Sequence, residues 1–368
     1  MIPKKLESEL AKVKEGKTEF IAGKADIVTK HMPVFYNPKK EFDRTLSIEI
    51  LKLLKPQKVL DLLSASGARG IRIAIEVPSV KFIHFNDVNP EAVKLIKKNI
   101  LLNKISQEKV KISQEEANKL CVNDKNHYDF IDIDPFGSPI NFIFNALCRL
   151  DKEGILAVTA TDTAPLYGVY KMTCFRKYGS YPIKTKFSHE VGLRILAKAV
   201  IEIGAKRNIS LIPIFAHATM HYYRIYFKAK RSYVNEFLKQ LGWICYCPKC
   251  KNRFFSSTFH DLCSCGNKLE SAGLLYGGNL WDLNLVEKLI KENETSKTLI
   301  KFLERVYDEA KVNIPYFYEV DEFKESSPLE ILLDKLKKAG FKASRTHFSG
   351  KGIKTDASFK QMEEIFKK

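Results

Sequence analysis

An α/β fold with a doubly wound, mostly parallel sheet is predicted through about residue 231 of this 368-residue chain, with a smaller α+β domain after it. Three observations carry the prediction. Short apolar runs alternate with helical segments up to roughly residue 230. A small-residue loop, Ser64-Ala65-Ser66-Gly67, stops the first of those runs. After Lys230 the character changes, with a cysteine cluster, a Leu275-Tyr276-Gly277-Gly278 stretch and then helices rich in Lys, Glu and Leu. Two domains, 1–231 and 232–368, are expected.

The elements follow in order. Lys58 to Leu63 is a strand entering the glycine loop, and Ile71 to Glu76 opens a helix. Lys81 to Phe85 is a second strand, ending at Asn86-Asp87. Asn89-Pro90-Glu91 starts an amphipathic helix running to about Asn103, with Asn89 as its N-cap. Lys109 to Ile112, Tyr128 to Ile133 and Gly154 to Ala160 are three further strands. Ser326-Ser327-Pro328 opens a last helix, Leu329 to Ala339, before a strand-like tail.

Composition narrows the function. Lys plus Arg is 61 against 43 for Asp plus Glu, a formal net charge of +18 that draws the chain toward polyanions. Between Lys171 and Arg231 stand thirteen cations and two acids, Glu190 and Glu202. Tyr167, Tyr170, Phe175, Tyr178, Tyr181, Phe187, Tyr222 and Tyr223 interleave them, a mixture suited to phosphates and exposed bases. The stretch from Leu329 is basic again. No apolar run is long enough for a membrane span, and Met1-Ile2-Pro3-Lys4-Lys5 is not a signal segment. A soluble, cytoplasmic protein with no membrane association and no obligate protein partner is expected.

The loop Asp61 to Gly70 sits where an open sheet binds nucleotide-like ligands. Small residues there let the backbone approach a ligand, and the next helix offers free N–H groups. Asp61, Ser64, Ser66 and Gly67 are therefore candidate cofactor contacts. Asp87, about 20 residues on, can accept both hydroxyls of a ribose. NAD and S-adenosylmethionine share that adenosine geometry, so these features leave both open. Asp134-Pro135-Phe136-Gly137, after the fourth strand, favours methyl transfer to a planar amine. Such a nitrogen is a poor nucleophile, because its lone pair is delocalised into the ring. A carboxylate and a backbone carbonyl can accept its N–H bonds and turn the lone pair toward a methyl donor. Pro135 fixes the turn, and Phe136 can stack on the base.

Asp134-Pro135-Phe136-Gly137-Ser138-Pro139, with Leu63-Ser64-Ala65-Ser66-Gly67-Ala68-Arg69-Gly70, resembles the tRNA guanine-26 N2-dimethyltransferase family. Further matches are Val34-Phe35-Tyr36-Asn37-Pro38 with Arg44, Ser188-His189-Glu190, Leu280-Trp281, Ala343 to Phe348 and Ile353 to Ala357. The resemblance implies a Rossmann-like class I methyltransferase domain using S-adenosylmethionine, with tRNA as partner. It implies Asp134 as the catalytic carboxylate, with Phe136 and Phe35 enclosing the base. Arg44 and Arg69 would hold the cofactor's carboxylate end, Asp87 its ribose, and Glu116 and Ala117 its adenine. Two departures stand out. The family usually reads Asn-Arg-Asp where this chain has Asp43-Arg44-Thr45, and Asp-Ala where it has Glu116-Ala117.

Five of the eight cysteines fall between Cys245 and Cys265. Cys247, Cys250, Cys263 and Cys265 have the spacing of a structural zinc site, though the second half is CxC; Cys245 and His260 are substitute ligands. His31, His84, His217 and His221 read as solvated or core residues. Two other functions compete with guanine methylation: an adenine-N6 methyltransferase on DNA or other RNA, and a non-catalytic zinc-containing RNA-binding protein.

Overall fold

The computed structural model describes residues 10–23, 34–219, 221–292, 296–323 and 327–367. His31, Ser326 and the Met1 to Lys5 start lie outside them. The chain divides into two compact units, Met1–Val158 and Thr159–Lys368. The boundary expected near residue 231 is drawn on composition, a different criterion.

The first unit opens with the hairpin β1 (Leu10–Glu15) and β2 (Thr18–Gly23), then α1 (Glu41–Leu54). Strands and helices then alternate: β3 (Lys58–Asp61), α2 (Ala68–Glu76), β4 (Phe82–Asn86), α3 (Pro90–Leu102), β5 (Val110–Ser113) and α4 (Ala117–Asn123). β6 (Tyr128–Ile133), α5 (Ile140–Ala146) and β7 (Leu150–Ala160) follow. The second unit continues with α6 (Thr163–Tyr167), α7 (Lys171–Tyr178), α8 (Ser188–Ala205), β8 (Ser210–Thr219), β9 (Tyr222–Lys230) and α9 (Val234–Leu238). Next come β10 (Leu241–Tyr246), β11 (Arg253–Ser256), β12 (Glu270–Tyr276), α10 (Leu283–Glu292), α11 (Lys297–Val312) and β13 (Tyr318–Glu319). The last elements are α12 (Leu329–Lys338), β14 (Ala343–Arg345), β15 (Gly352–Thr355) and α13 (Phe359–Phe366).

Seven strands form the main sheet, in the order β5-β4-β3-β6-β7-β9-β8. Neighbours from β5 to β7 are parallel, while β8 and β9 are antiparallel. Tyr128, Phe130, Ile131 and Ile133 of β6 are all fully buried, the pattern of a parallel strand covered on both faces. Asn89 caps α3 as expected, accepting from the Glu91 amide at 2.9 Å, and Pro90 needs no partner in the first turn. Strand order reverses between β3 and β6, so the loops after them border one crevice at the switch point.

In the second unit, two three-stranded sheets form, β11-β10-β12 and β13-β15-β14. The tail is not only strand-like. β14 and β15 are followed by α13, opened by a capping box between Ser358 and Gln361, a signal the sequence reading passed over. Phe359, Met362 and Phe366 of α13 join Tyr318, Leu332 and Ile353 in a core cluster.

Several motif residues without assigned chemistry meet in a buried ionic network of this unit. Lys354 Nζ lies 2.7 Å from Glu190 Oε1 and 2.9 Å from Glu309 Oε1, all three side chains being fully buried. His347 Nδ1 is 2.8 Å from Glu309 Oε2, and Arg194 bonds Glu190 at 3.0 Å. Burial alone would raise Glu309, but Lys354 and His347 hold its carboxyl well below the usual range. The Ser188-His189-Glu190 and Ile353-Lys354 motifs are thus joined by a structural ion network.

Candidate active site

The loop after β3 is shaped by local bonds. Ser64 Oγ donates to the Asp61 carbonyl at 2.8 Å, and Ser64 N–H donates to the Asn86 carbonyl at 2.9 Å. Gly67 takes a φ of 77°, in the left-handed region, just before α2. Gly70 is needed for a different reason: a Cβ there would lie 2.3 Å from the Phe85 ring. Helix α2 therefore packs closely on β4.

Asp87 faces this loop. Its Oδ2 accepts from the Ala65 amide at 2.7 Å and its Oδ1 from the Asn89 amide at 2.9 Å. Burial raises its carboxyl, with those amides opposing. Two amides leave acceptor capacity on a carboxylate that offers about four sites, so the residue fits a ribose diol. Glu116 is used locally, capping α4 through the Lys119 amide at 2.9 Å, and Ala117 is buried.

Beyond β6, four acids and two cations are knitted together. Asp61 and Asp132 sit opposite each other in the β3–β6 register. Arg69 Nε lies 3.2 Å from Asp132, while its Nη2 donates to Asp43 at 2.6 Å and to Asp134 at 2.9 Å. Lys40 Nζ donates to Asp134 Oδ1 at 2.8 Å and Oδ2 at 3.1 Å. Burial, and next the Asp132 charge, pushes the Asp61 carboxyl up to about 8 against the pull of Arg69. Arg44 is held by Glu15, Nε to Oε2 at 2.8 Å and Nη2 to Oε1 at 2.5 Å. Tyr36 also donates to Glu15 at 2.6 Å.

The two rings assigned to the base meet directly. Phe35 and Phe136 lie edge to face, 4.3 Å between centroids at 78°, with Phe136 59% exposed. Gly137 adopts a φ of 94° with nothing within 4 Å of an added Cβ, so the turn, not crowding, calls for glycine. The structure thus brings Asp134, Pro135, Phe136, Phe35 and Arg69 together, and Asp61, Ser64, Ser66, Gly67 and Asp87 around the neighbouring loop. Arg44 is taken up by Glu15, and Glu116 by its helix. The sequence reading missed Lys40, Asp43, Glu15 and Asp132. Asp132 carried a signal, a second acid in a mostly apolar strand, and Asp43 stood out only as a departure from the family pattern.

The cysteine cluster lies in the second unit. The four Sγ atoms of Cys247, Cys250, Cys263 and Cys265 are all within 4.8 Å of one another. Cys247 and Cys265 stand 3.6 Å apart, as do Cys250 and Cys263. A tetrahedral zinc with sulfur ligands at about 2.3 Å has edges of about 3.8 Å, so the donor set fits. Cys245 instead accepts from Ser271, and His260 bonds Ser256, so neither belongs to the group.

The N2,N2-dimethylguanosine tRNA methyltransferase family matches residues 11–367. The chain belongs to this family. A tRNA (guanine(26)-N(2)/guanine(27)-N(2))-dimethyltransferase of Aquifex aeolicus is 38% identical, covering 93% of this chain and 91% of its own length. A tRNA (guanine(26)-N(2))-dimethyltransferase of Methanothermobacter thermautotrophicus is 36% identical over 92% of this chain and 93% of its own. Trm1 from Pyrococcus horikoshii, solved with S-adenosyl-L-methionine, superposes with a TM-score of 0.86 at 34% identity, covering 97% and 99% of the two chains. The fold is that of the family's methyltransferases, and no helix among the described residues is long and apolar enough to cross a membrane.

Proposed function

We propose that this family member methylates the exocyclic N2 amine of guanosine 26 in cytoplasmic tRNA, first to N2-methyl- and then to N2,N2-dimethylguanosine. The observation that carries the reading is the seating of Asp134-Pro135-Phe136 at the end of β6, across the switch point from the β3 loop. S-adenosylmethionine, when bound, supplies an electrophilic methyl on sulfonium. Asp87 takes the ribose hydroxyls, while Ser64, Ser66 and Gly67 let the backbone approach. Arg69 and Arg44 would hold the cofactor's carboxylate end, Arg69 by releasing Asp43 while keeping Asp134 and Arg44 by releasing Glu15.

Asp134 and the Pro135 carbonyl accept the N–H bonds of the amine, turning its lone pair toward the methyl carbon. Asp134 would take up the proton that N2 sheds as it accepts the methyl group the bound cofactor supplies. Phe35 and Phe136 part to admit the flipped guanine and close on its faces. One N–H survives the first transfer, so the same acceptor serves a second. Cys247, Cys250, Cys263 and Cys265 would hold a structural zinc with no open position, bracing residues 232–368 against tRNA. A transcript carrying adenosine at position 26 tests the reading: methyl incorporation should vanish. Incorporation that persists there, and is lost only when guanosine 27 is replaced, would shift the target by one nucleotide.

A further inference from the structure

Single exposed apolar side chains are ordinary, but clusters of them mark contact surfaces. Val169, Tyr170, Met172, Phe175 and Tyr181 are all exposed within thirteen residues, a third of the fifteen large exposed hydrophobic side chains among the described residues. Helix α7 is inverted: Met172 and Phe175 face water, while Cys174 and Tyr178 are buried. Phe175 and Tyr181 stack on each other, 4.5 Å between centroids at 16°. Of the aromatic residues interleaving the basic window, Tyr178, Phe187, Tyr222 and Tyr223 belong to the core.

The charge within this segment has one sign. No Asp or Glu occurs from Thr163 to His189, and Lys171, Arg176 and Lys184 are exposed, with no ion pair among the described residues. The nearest acid, Asp162, is consumed in fixing the helix: Lys177 lies 2.8 Å from it and Tyr178 donates to it at 2.5 Å. The platform is rigid at its other end too. Tyr181 exchanges two backbone bonds with Gly273, at 2.8 and 2.9 Å, and Ser180 Oγ donates to the Leu274 carbonyl at 2.6 Å. Gly168, with a φ of 99°, admits no Cβ because Ile183 backbone would lie 2.9 Å away.

We propose that residues 169–181 dock the tRNA, one unpaired base stacking on the Phe175–Tyr181 pair while Lys171, Arg176 and Lys184 engage the flanking phosphates. The inference rests on tRNA being the substrate. Fixed rings lose little entropy on stacking, and unpaired cations release phosphate counterions on contact. An acidic protein surface would satisfy the cations but leave the stacked rings without a planar partner.

The test uses the full chain and an unmodified tRNA transcript. A double variant, Phe175→Ala with Tyr181→Ala, should weaken tRNA binding and raise KM for tRNA about tenfold or more, leaving kcat and S-adenosylmethionine affinity unchanged. The aromatic exchanges Phe175→Tyr and Tyr181→Phe should keep wild-type affinity. Lys171→Gln with Arg176→Gln should lower the slope of log Kd against log salt by about two. Unchanged tRNA affinity and salt slope in both double variants, with wild type methylating tRNA normally, would overturn the docking surface alone. So would a change of oligomeric mass at constant tRNA affinity, which would make the patch a self-association face. Wild-type protein that transfers no methyl to tRNA would instead remove the functional reading on which it rests.

Discussion

Lys40 Nζ lies 2.8 Å from Asp134 Oδ1 and is itself buried, although 94 residues separate the two in sequence. With Arg69 on Oδ2, it fixes the carboxylate in one orientation at the mouth of the site. A side chain held from two directions cannot swing out of place. On the proposed role of Asp134, Lys40 is a positioning residue for it. Lys40→Met should lower kcat about ten- to a hundredfold with little change in S-adenosylmethionine affinity, since a small misplacement of a reacting group costs on that order. Lys40→Arg should recover part of the loss. Full activity in Lys40→Met would show that Arg69 alone suffices.

Asp87 anchors the cofactor's ribose in this account. Asp87→Ala should weaken S-adenosylmethionine binding by about 1–3 kcal/mol, the usual result of leaving buried hydroxyls without an acceptor. Calorimetric titration of the variant measures this directly, and unchanged affinity would remove Asp87 from the site.

Asp61 carries a pH signature. Its carboxyl is raised from the ordinary 3.8 to about 8, by burial first and by Asp132 second. The folded protein therefore keeps a proton that the unfolded chain gives up, and this contribution to stability is lost as pH rises from about 4 to about 8. Asp61→Asn abolishes the effect. Its Tm relative to wild type should climb between about pH 5.5 and about pH 8. A constant offset across that range would mean that Asp61 is already ionised in the folded state.

In the second unit, Lys354 faces two buried carboxylates, Glu190 and Glu309. Removing one member of a buried ion network leaves its partners uncompensated. Lys354→Met should cost about 3–5 kcal/mol of stability, read by urea unfolding. A loss below about 1 kcal/mol would show that water or a rearranged Arg194 takes over.

Zinc removal tests the cysteine cluster. Protein purified without chelator should carry close to one zinc per chain, and Cys247→Ser should lose it along with the stability of residues 232–368. Wild-type protein free of zinc would leave the four thiols as packing residues.

What was legible in the sequence was mostly local. Tyr128 to Ile133 matches β6 at both ends, because its large apolar residues, interrupted only by Asp129 and Asp132, are stopped by Asp134-Pro135. Asn89 read as a cap because capping is settled within three residues. Lys40 and Glu15 were not legible. A second lysine in Lys39-Lys40 looks like solvated charge, and its partner lies across the fold. The same limit applied to the basic window: spacing cannot tell Tyr178, in the core, from Phe175, on the surface, because their burial is decided by Asp162 and by packing from distant segments.

The most direct measurement incubates the protein with unmodified tRNA transcript and labelled S-adenosylmethionine, then digests the RNA for nucleoside mass spectrometry. N2,N2-Dimethylguanosine mapped to position 26 is expected, abolished by Asp134→Ala while cofactor binding survives. N6-methyladenosine, or an Asp134→Ala variant that transfers methyl as well as wild type, would contradict it.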